Sequence, residues 1–122
     1  MTTEAENLIK IGSGYLDIPA YLMEGIREYV VNHRGTGHFL QACIENDLLE
    51  AVSVADQNSI KALKQIVIFL YNHTPADCCG NKEKYKKWVN QPKEEHREII
   101  ANNPKAYFIV LCNYIKDNSR IQ

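Results

Sequence analysis

The chain has 122 residues, 14 basic and 15 acidic side chains, a net charge of −1, 45% hydrophobic residues and 24% charged ones. That length suits one domain that buries a core without disulfide staples, and the near-neutral balance excludes a broadly basic surface of the kind that grips nucleic acid by charge alone. The longest apolar run, Ala106 to Cys112, falls far short of the roughly 20 residues a bilayer-crossing helix needs.

Of the four cysteines, Cys78 and Cys79 are adjacent, and Cys43 and Cys112 sit in apolar runs. No disulfide framework follows from that spacing, and the first residues lack the pattern of a signal peptide, so the expectation is reduced thiols in a cytoplasm. Charge is unevenly spread. Residues 1–60 carry three basic and nine acidic side chains, and residues 61–122 carry eleven and six. Such a dipolar chain can attract a charged partner or a second copy of itself, although two oppositely charged faces of one domain explain it as simply.

Residues 1–17 show no sustained period and are expected to be an extended arm or tail. Pro19 then opens a helix at its first position, where the missing N–H has no partner to lose. Leu22, Met23, Ile26, Tyr29 and Val30 recur at three- and four-residue spacing and predict one buried stripe. Gly25 sits inside that helix at a cost of roughly 1 kcal/mol against alanine, which a close helix crossing, or else a ligand approach, would explain. Asn32 to Gly37 reads as a turn.

Thr36 is expected to cap a short helix from His38 to Glu45, with Phe39, Leu40, Cys43 and Ile44 inward. Asp47 caps the next, with Glu50 completing a capping box, and its inner face is expected to be Leu48, Ala51, Val52 and Ala55. Asn58 or Ser59 is expected to cap a helix running to Asn72, the central one, on the strength of Ile60, Leu63, Ile66, Val67 and Leu70. His73 to Asn81 is a loop by composition. Asn81 caps a short helix through Trp88, and Gln91-Pro92 restarts a polar helix with Ile99 and Ile100 inside. Asn103-Pro104 launches the last element, read as helix rather than buried strand because the pattern continues to Asp117. The whole predicts an all-α, single-domain bundle of six to seven short helices over residues 18–122 behind the N-terminal arm.

No motif fixes a chemistry. His73, Cys78 and Cys79 cluster in sequence, but adjacent cysteines rarely share one tetrahedral ion, and His33 and His38 lack a Cys or carboxylate close by, so no metal is expected. No nucleophile elbow, metalloprotease helix or Cys–His signature occurs, which predicts a protein that is not an enzyme and needs no cofactor. Arg34-Gly35-Thr36-Gly37-His38 places two glycines before a helix start, a geometry that suits a nucleotide or another anion and equally a tight turn. Lys82, Lys84, Lys86, Lys87 and Lys93, interleaved with Tyr85 and Trp88, could hold phosphates and stack bases. The blander alternative is a solvated lysine face with both aromatics anchoring a short helix to the core.

The segment from Ile18 to Trp88 resembles a family of small phage and prophage proteins of unassigned function. The resemblance rests on Ile18-Pro19, on Gly25, Arg27 and Tyr29, on Gly37, Phe39 and Leu40, and on Asn46-Asp47-Leu48. It continues with Ala55, Asp56 and Asn58, Phe69 to Asn72, Pro75, Cys78, Gly80 and Trp88. Where the family often has tryptophan between that cysteine and glycine, this chain has Cys79, and residues 89–122 form a C-terminal helical extension outside the pattern. The resemblance implies a phage-encoded protein acting in a bacterial cytoplasm, where small accessory proteins block host factors or sequester host signals. The expectation is a non-enzymatic accessory protein that binds a host or phage macromolecule and so counters host defence. Its contact residues are expected around the turns: Arg27, Arg34, Gly37, His38, Asn46, Asp47, Asp56 and Asn58. The alternatives are a nucleotide-binding module beside Arg34 to His38 and a nucleic-acid binder using the lysines of 82–87.

Overall fold

The computed structural model describes residues 4–91 and 105–120. Within them lie seven α-helices and no strand: α1 (Glu4–Gly12), α2 (Ala20–Asn32), α3 (His38–Ile44), α4 (Leu48–Val54), α5 (Gln57–His73), α6 (Lys82–Val89) and α7 (Lys105–Asn118). Short 3-10 turns at Ser13–Tyr15 and Ala76–Cys78 follow α1 and α5. The all-α reading holds, and so does the choice of helix over strand for the last element. The helix expected after Gln91-Pro92, with Ile99 and Ile100 inside, lies outside the described residues, as does the Asn103-Pro104 start.

The N-terminal arm is a correction, because Glu4–Gly12 is helical rather than extended. Glu6 stands near its positive end and Lys10 near its negative end, the arrangement the helix dipole favours. Its anchor is tertiary. The helix packs on α7, and Gly12 meets the Tyr114 ring so closely that an added Cβ would stand 2.4 Å from Cδ1. A nine-residue helix is marginal on its own, and α7 gives it a surface to form against.

That same α7 joins the C-terminal extension to the core. Phe108, Leu111, Cys112 and Ile115 are buried, and the helix packs on α2 as well as α1. Just beyond it, Ser119 Oγ donates to the Ile18 carbonyl at 2.7 Å, and Arg120 N donates to the Leu16 carbonyl at 2.7 Å. The segments that flank residues 18–88 therefore pack against each other and against that stretch.

Helix α2 buries the five residues its spacing predicts. Pro19 is the N-cap rather than the first helical residue, and its carbonyl accepts from the amides of Leu22 and Met23. Gly25 marks the crossing with α3, where an added Cβ would lie 2.8 Å from Leu40 Cδ1.

Around Tyr29 the core becomes polar and specific. The Tyr29 hydroxyl donates to the Cys78 carbonyl at 2.6 Å, while the Tyr29 carbonyl accepts from the Trp88 indole at 2.9 Å. Burial, with the nearby Cys78 thiol adding to it, pushes the phenol far above its ordinary range, which keeps the donor proton in place. His33 ends α2 in a left-handed conformation (φ 56°), and its Nδ1 donates to the Trp88 carbonyl. Tyr85 stacks on Tyr29 with ring centroids 5.3 Å apart, and its hydroxyl accepts from the Thr36 amide at 2.9 Å. Every one of these bonds joins segments far apart in sequence, so the cluster ties α2, the following turn, the cysteine loop and α6 together.

Trp88→Ala should therefore cost about 3–5 kcal/mol in urea denaturation, while Leu49→Ala, at a side chain 85% exposed, should stay within about 0.5 kcal/mol. A pH dependence follows as well. Burial lowers the pKa of His33, opposed more weakly by the Trp88 carbonyl, and burial lowers that of His73. Both rings are thus neutral in the fold and become charged in the unfolded chain below about pH 6.5. The unfolded state then binds the extra protons, so this stability is present above that pH and is lost as pH falls beneath it. Urea midpoints at pH 8 and pH 5.5 should show the drop, and His33→Asn, which tolerates the left-handed backbone, should reduce it to the part that His73 contributes.

Candidate functional site

Helix α3 begins after the turn that the Tyr29 cluster holds in place. His38, Gln41 and Glu45 lie at positions i, i+3 and i+7, so they share one face. Asn46 then adopts a left-handed conformation (φ 61°), which asparagine tolerates better than most residues, and the chain reverses into α4. The Asp47 amide donates back to the Ala42 carbonyl at 2.8 Å, and the Asp47 carboxylate accepts from the Glu50 amide at 3.2 Å. Asp47 is the expected cap. The Glu50 amide, rather than its side chain, supplies the observed half of the box.

This reversal makes a cavity of about 240 Å³ lined by His38, Gln41, Ala42, Glu45, Asp47, Glu50 and Lys82. Two residues expected from the sequence, His38 and Asp47, meet there. Three carboxylates face one lysine and one histidine, so the cavity is acidic. Gln41 Nε2 steadies Glu45 by donating to its Oε2 at 3.0 Å.

Asn46 forms the reversal without lining the cavity, and the other expected contact residues lie elsewhere. Arg27 pairs with Glu24 at 3.1 Å and Glu28 at 3.3 Å, and Glu24 in turn meets Lys116 of α7 at 3.2 Å, a network that joins two helices. Arg34 reaches Glu28 at 3.5 Å and is otherwise largely exposed. Gly37 precedes α3 with an ordinary φ of −66° and no side-chain cap, so the expected Thr36 cap is not formed. The Thr36 amide is already bonded to the Tyr85 hydroxyl, which removes one donor from the anion geometry read in this turn. Asp56, not Asn58 or Ser59, caps α5, accepting from the Ser59 amide at 2.7 Å. That amide holds the Asp56 carboxyl below its ordinary range. The lysines of α6 are dispersed: Lys82, Lys86 and Lys87 are exposed, whereas Lys84 donates to the Ala76 carbonyl at 3.2 Å. Tyr85 and Trp88 face inward as core anchors.

Helix α4 departs most from expectation. Only Ala51 of its residues is buried, while Leu48 and Leu49 are 63% and 85% exposed and Val52 and Val54 are also exposed. The helix has seven residues and leans on α3, so one small side chain is enough to seat it. Helix α5 is likewise rotated from its expected face. Its buried side is Ser59, Ala62, Ile66, Phe69 and Leu70, leaving Ile60, Val67, Ile68 and Tyr71 exposed. Its apolar arc is wider than the neighbours can cover, which is why periodicity alone placed the centre of the stripe wrongly.

Sequence reasoning did not bring Gln41, Glu45, Glu50 or Lys82 to this cavity, Lys82 being expected only among the nucleic-acid lysines. The signal for three of them was present: Gln41 and Glu45 fall on the His38 face, and Glu50 sits one turn beyond Asp47. Among the described residues no three His, Cys, Asp or Glu side chains are grouped so as to hold a metal ion, and no helix is long and apolar enough to cross a membrane. Comparison with known proteins finds no match among protein families, curated proteins or solved structures.

The two caps separate cleanly in a mutation series. Asp47→Ala should cost about 1 kcal/mol in urea denaturation through loss of its bond to the Glu50 amide, and Asp56→Ala should lower the midpoint, while Asn58→Ala leaves it unchanged.

Proposed function

We propose that this protein works by binding a macromolecule at the α3–α4 reversal, a role that calls for no chemistry at that surface. The observation that carries the reading is the pairing of Leu48, Leu49 and Val52, all exposed on one short helix, with the carboxylates of Glu45, Asp47 and Glu50 around the adjoining cavity. Exposed leucines with a charged border are what a protein interface needs: apolar area to remove from water and polar groups to set orientation. The partner chemistry follows from the sign of the charge. A segment bearing apolar side chains and a lysine or arginine fits the surface, whereas a nucleotide phosphate in the same cavity would meet three carboxylates.

The phage setting rests on the motifs of residues 18–88. We infer a small phage or prophage accessory protein whose partner is a host or phage protein, with antagonism of host defence as its role. A second copy of the chain is the other partner that its charge asymmetry suits.

Affinity capture from phage-infected bacteria tests the proposal with three variants. Leu49→Asp and the pair Glu45→Lys with Glu50→Lys should each lose the partner that the unaltered protein retains, with circular dichroism and urea midpoints unchanged. Arg34→Ala, outside the surface, should retain it. Equal capture by all variants would place the interface elsewhere.

A further inference from the structure

Two thiols lie outside this surface and take no part in it. Cys78 and Cys79 sit in the loop between α5 and α6, and their Sγ atoms are 3.3 Å apart. The 3-10 turn ends at Cys78 and the backbone becomes extended at Cys79, a change of conformation across which both side chains meet. Cys78 is fully buried and Cys79 half-buried, so Cys79 is the more accessible residue of the two. The loop is held on both sides. Tyr29 donates to the Cys78 carbonyl, and the Gly80 amide donates to the Ile44 carbonyl at 2.8 Å. These bonds fix the pair before any reaction.

The surroundings treat the four thiols differently. The Cys78 thiol, hydrogen-bonded to Cys79, lowers the pKa of Cys79 against the opposing effect of burial, and the Thr74 hydroxyl at 3.3 Å and the Lys84 ammonium add to the lowering. Cys78 itself is pushed up, first by that bond to Cys79 and then by burial. Cys43 and Cys112 are each pushed up to about 12 by burial. Reactivity toward an oxidant follows thiolate character and access, and a neighbouring thiol decides whether the first product is resolved.

We propose that Cys78 and Cys79 form a two-electron redox site that reduces a hydroperoxide, with Cys79 as nucleophile and Cys78 as resolving thiol. The Cys79 thiolate attacks one peroxide oxygen and the O–O bond breaks. The departing alkoxide takes the proton that Cys79 gave up and leaves as an alcohol, and Cys79 becomes a sulfenic acid. The Cys78 sulfur then attacks the Cys79 sulfur, the S–O bond breaks, and the hydroxide leaves with the Cys78 proton as water. Two thiols and one hydroperoxide thus give one disulfide, one alcohol and one water. Closure brings the sulfurs to about 2.05 Å. Neighbouring Cα atoms are only about 3.8 Å apart, shorter than an ordinary disulfide span, so the ring is strained and a dithiol reductant reopens it by exchange, itself becoming a disulfide.

The test is titration of the reduced full-length protein with one equivalent of hydrogen peroxide, followed by thiol counting and peptide mass mapping. The four free thiols should fall to two, with a mass loss of two hydrogens, a link between residues 78 and 79, and full recovery in dithiothreitol. Cys78→Ser should stop at a sulfenic acid that dimedone traps on Cys79, and Cys79→Ser should keep all its thiols at the same dose. Because Cys78 is buried, its serine variant can fail to fold. Cys79→Ser together with phenylarsine oxide then decides: a one-to-one adduct bridging both sulfurs of the unaltered protein, absent from the variant, upholds the pair. Oxidation reaching Cys43 or Cys112 first, or a Cys79 sulfenic acid that persists beside an intact Cys78, would overturn the proposal.

Discussion

The constraint on which the rest of the structure depends is the set of polar bonds around Tyr29. A phenol, an indole and an imidazole are buried together, and each must satisfy its polar atoms without water, because an unpaired buried donor costs about 1–3 kcal/mol. The Tyr29 hydroxyl finds the Cys78 carbonyl, the Trp88 indole finds the Tyr29 carbonyl, and His33 finds the Trp88 carbonyl. Apolar packing alone would tolerate sliding of α6 against α2. These directional bonds do not, and through Tyr85 and the Thr36 amide they also fix where α3 begins. The position of His38 and the cavity beyond it is therefore set by a cluster that touches neither.

The same economy explains why α4 is exposed. Once α2, α5, α6 and α7 have closed the core, the segment after Asn46 needs only a cap and one small buried residue to hold its helix. Asp47 and Ala51 provide them. Leucines at 48 and 49 add nothing to that anchorage, and an exposed leucine pair is an aggregation hazard unless something covers it. Their presence beside carboxylates is the reason to read α4 as a working surface rather than as leftover packing.

Much of the fold was legible in the sequence where one signal dominated. The α2 stripe, the Asp47 and Asn81 caps, the Gly25 crossing and the helical nature of α7 all follow from local rules that tertiary structure left intact. The failures have physical causes. Helix α1 is marginal alone and takes its support from α7, a contact between opposite ends of the sequence that no local rule reports. Helices α4 and α5 have more apolar residues than the core takes, and periodicity records where such residues are, not how many neighbours arrive to cover them. The site was half legible: His38 and Asp47 were picked as turn residues and do share a cavity, but Lys82 comes from a distant helix that no spacing rule connects to them. An arginine amid glutamates on one helix reads as available, and here Arg27 pairs with Glu24 and Glu28.

Backbone hydrogen exchange of the unliganded protein is the most direct test of this division between a locked core and a lightly held surface helix. If the account is right, amides of α2 and α6 around Tyr29 and Trp88, and the Trp88 indole proton, exchange only through global unfolding. Amides of α4 exchange much faster, through local opening that leaves the rest intact. Protection of α4 equal to that of α2 would contradict it, since a helix seated by Ala51 alone could not then be the part left free for a partner.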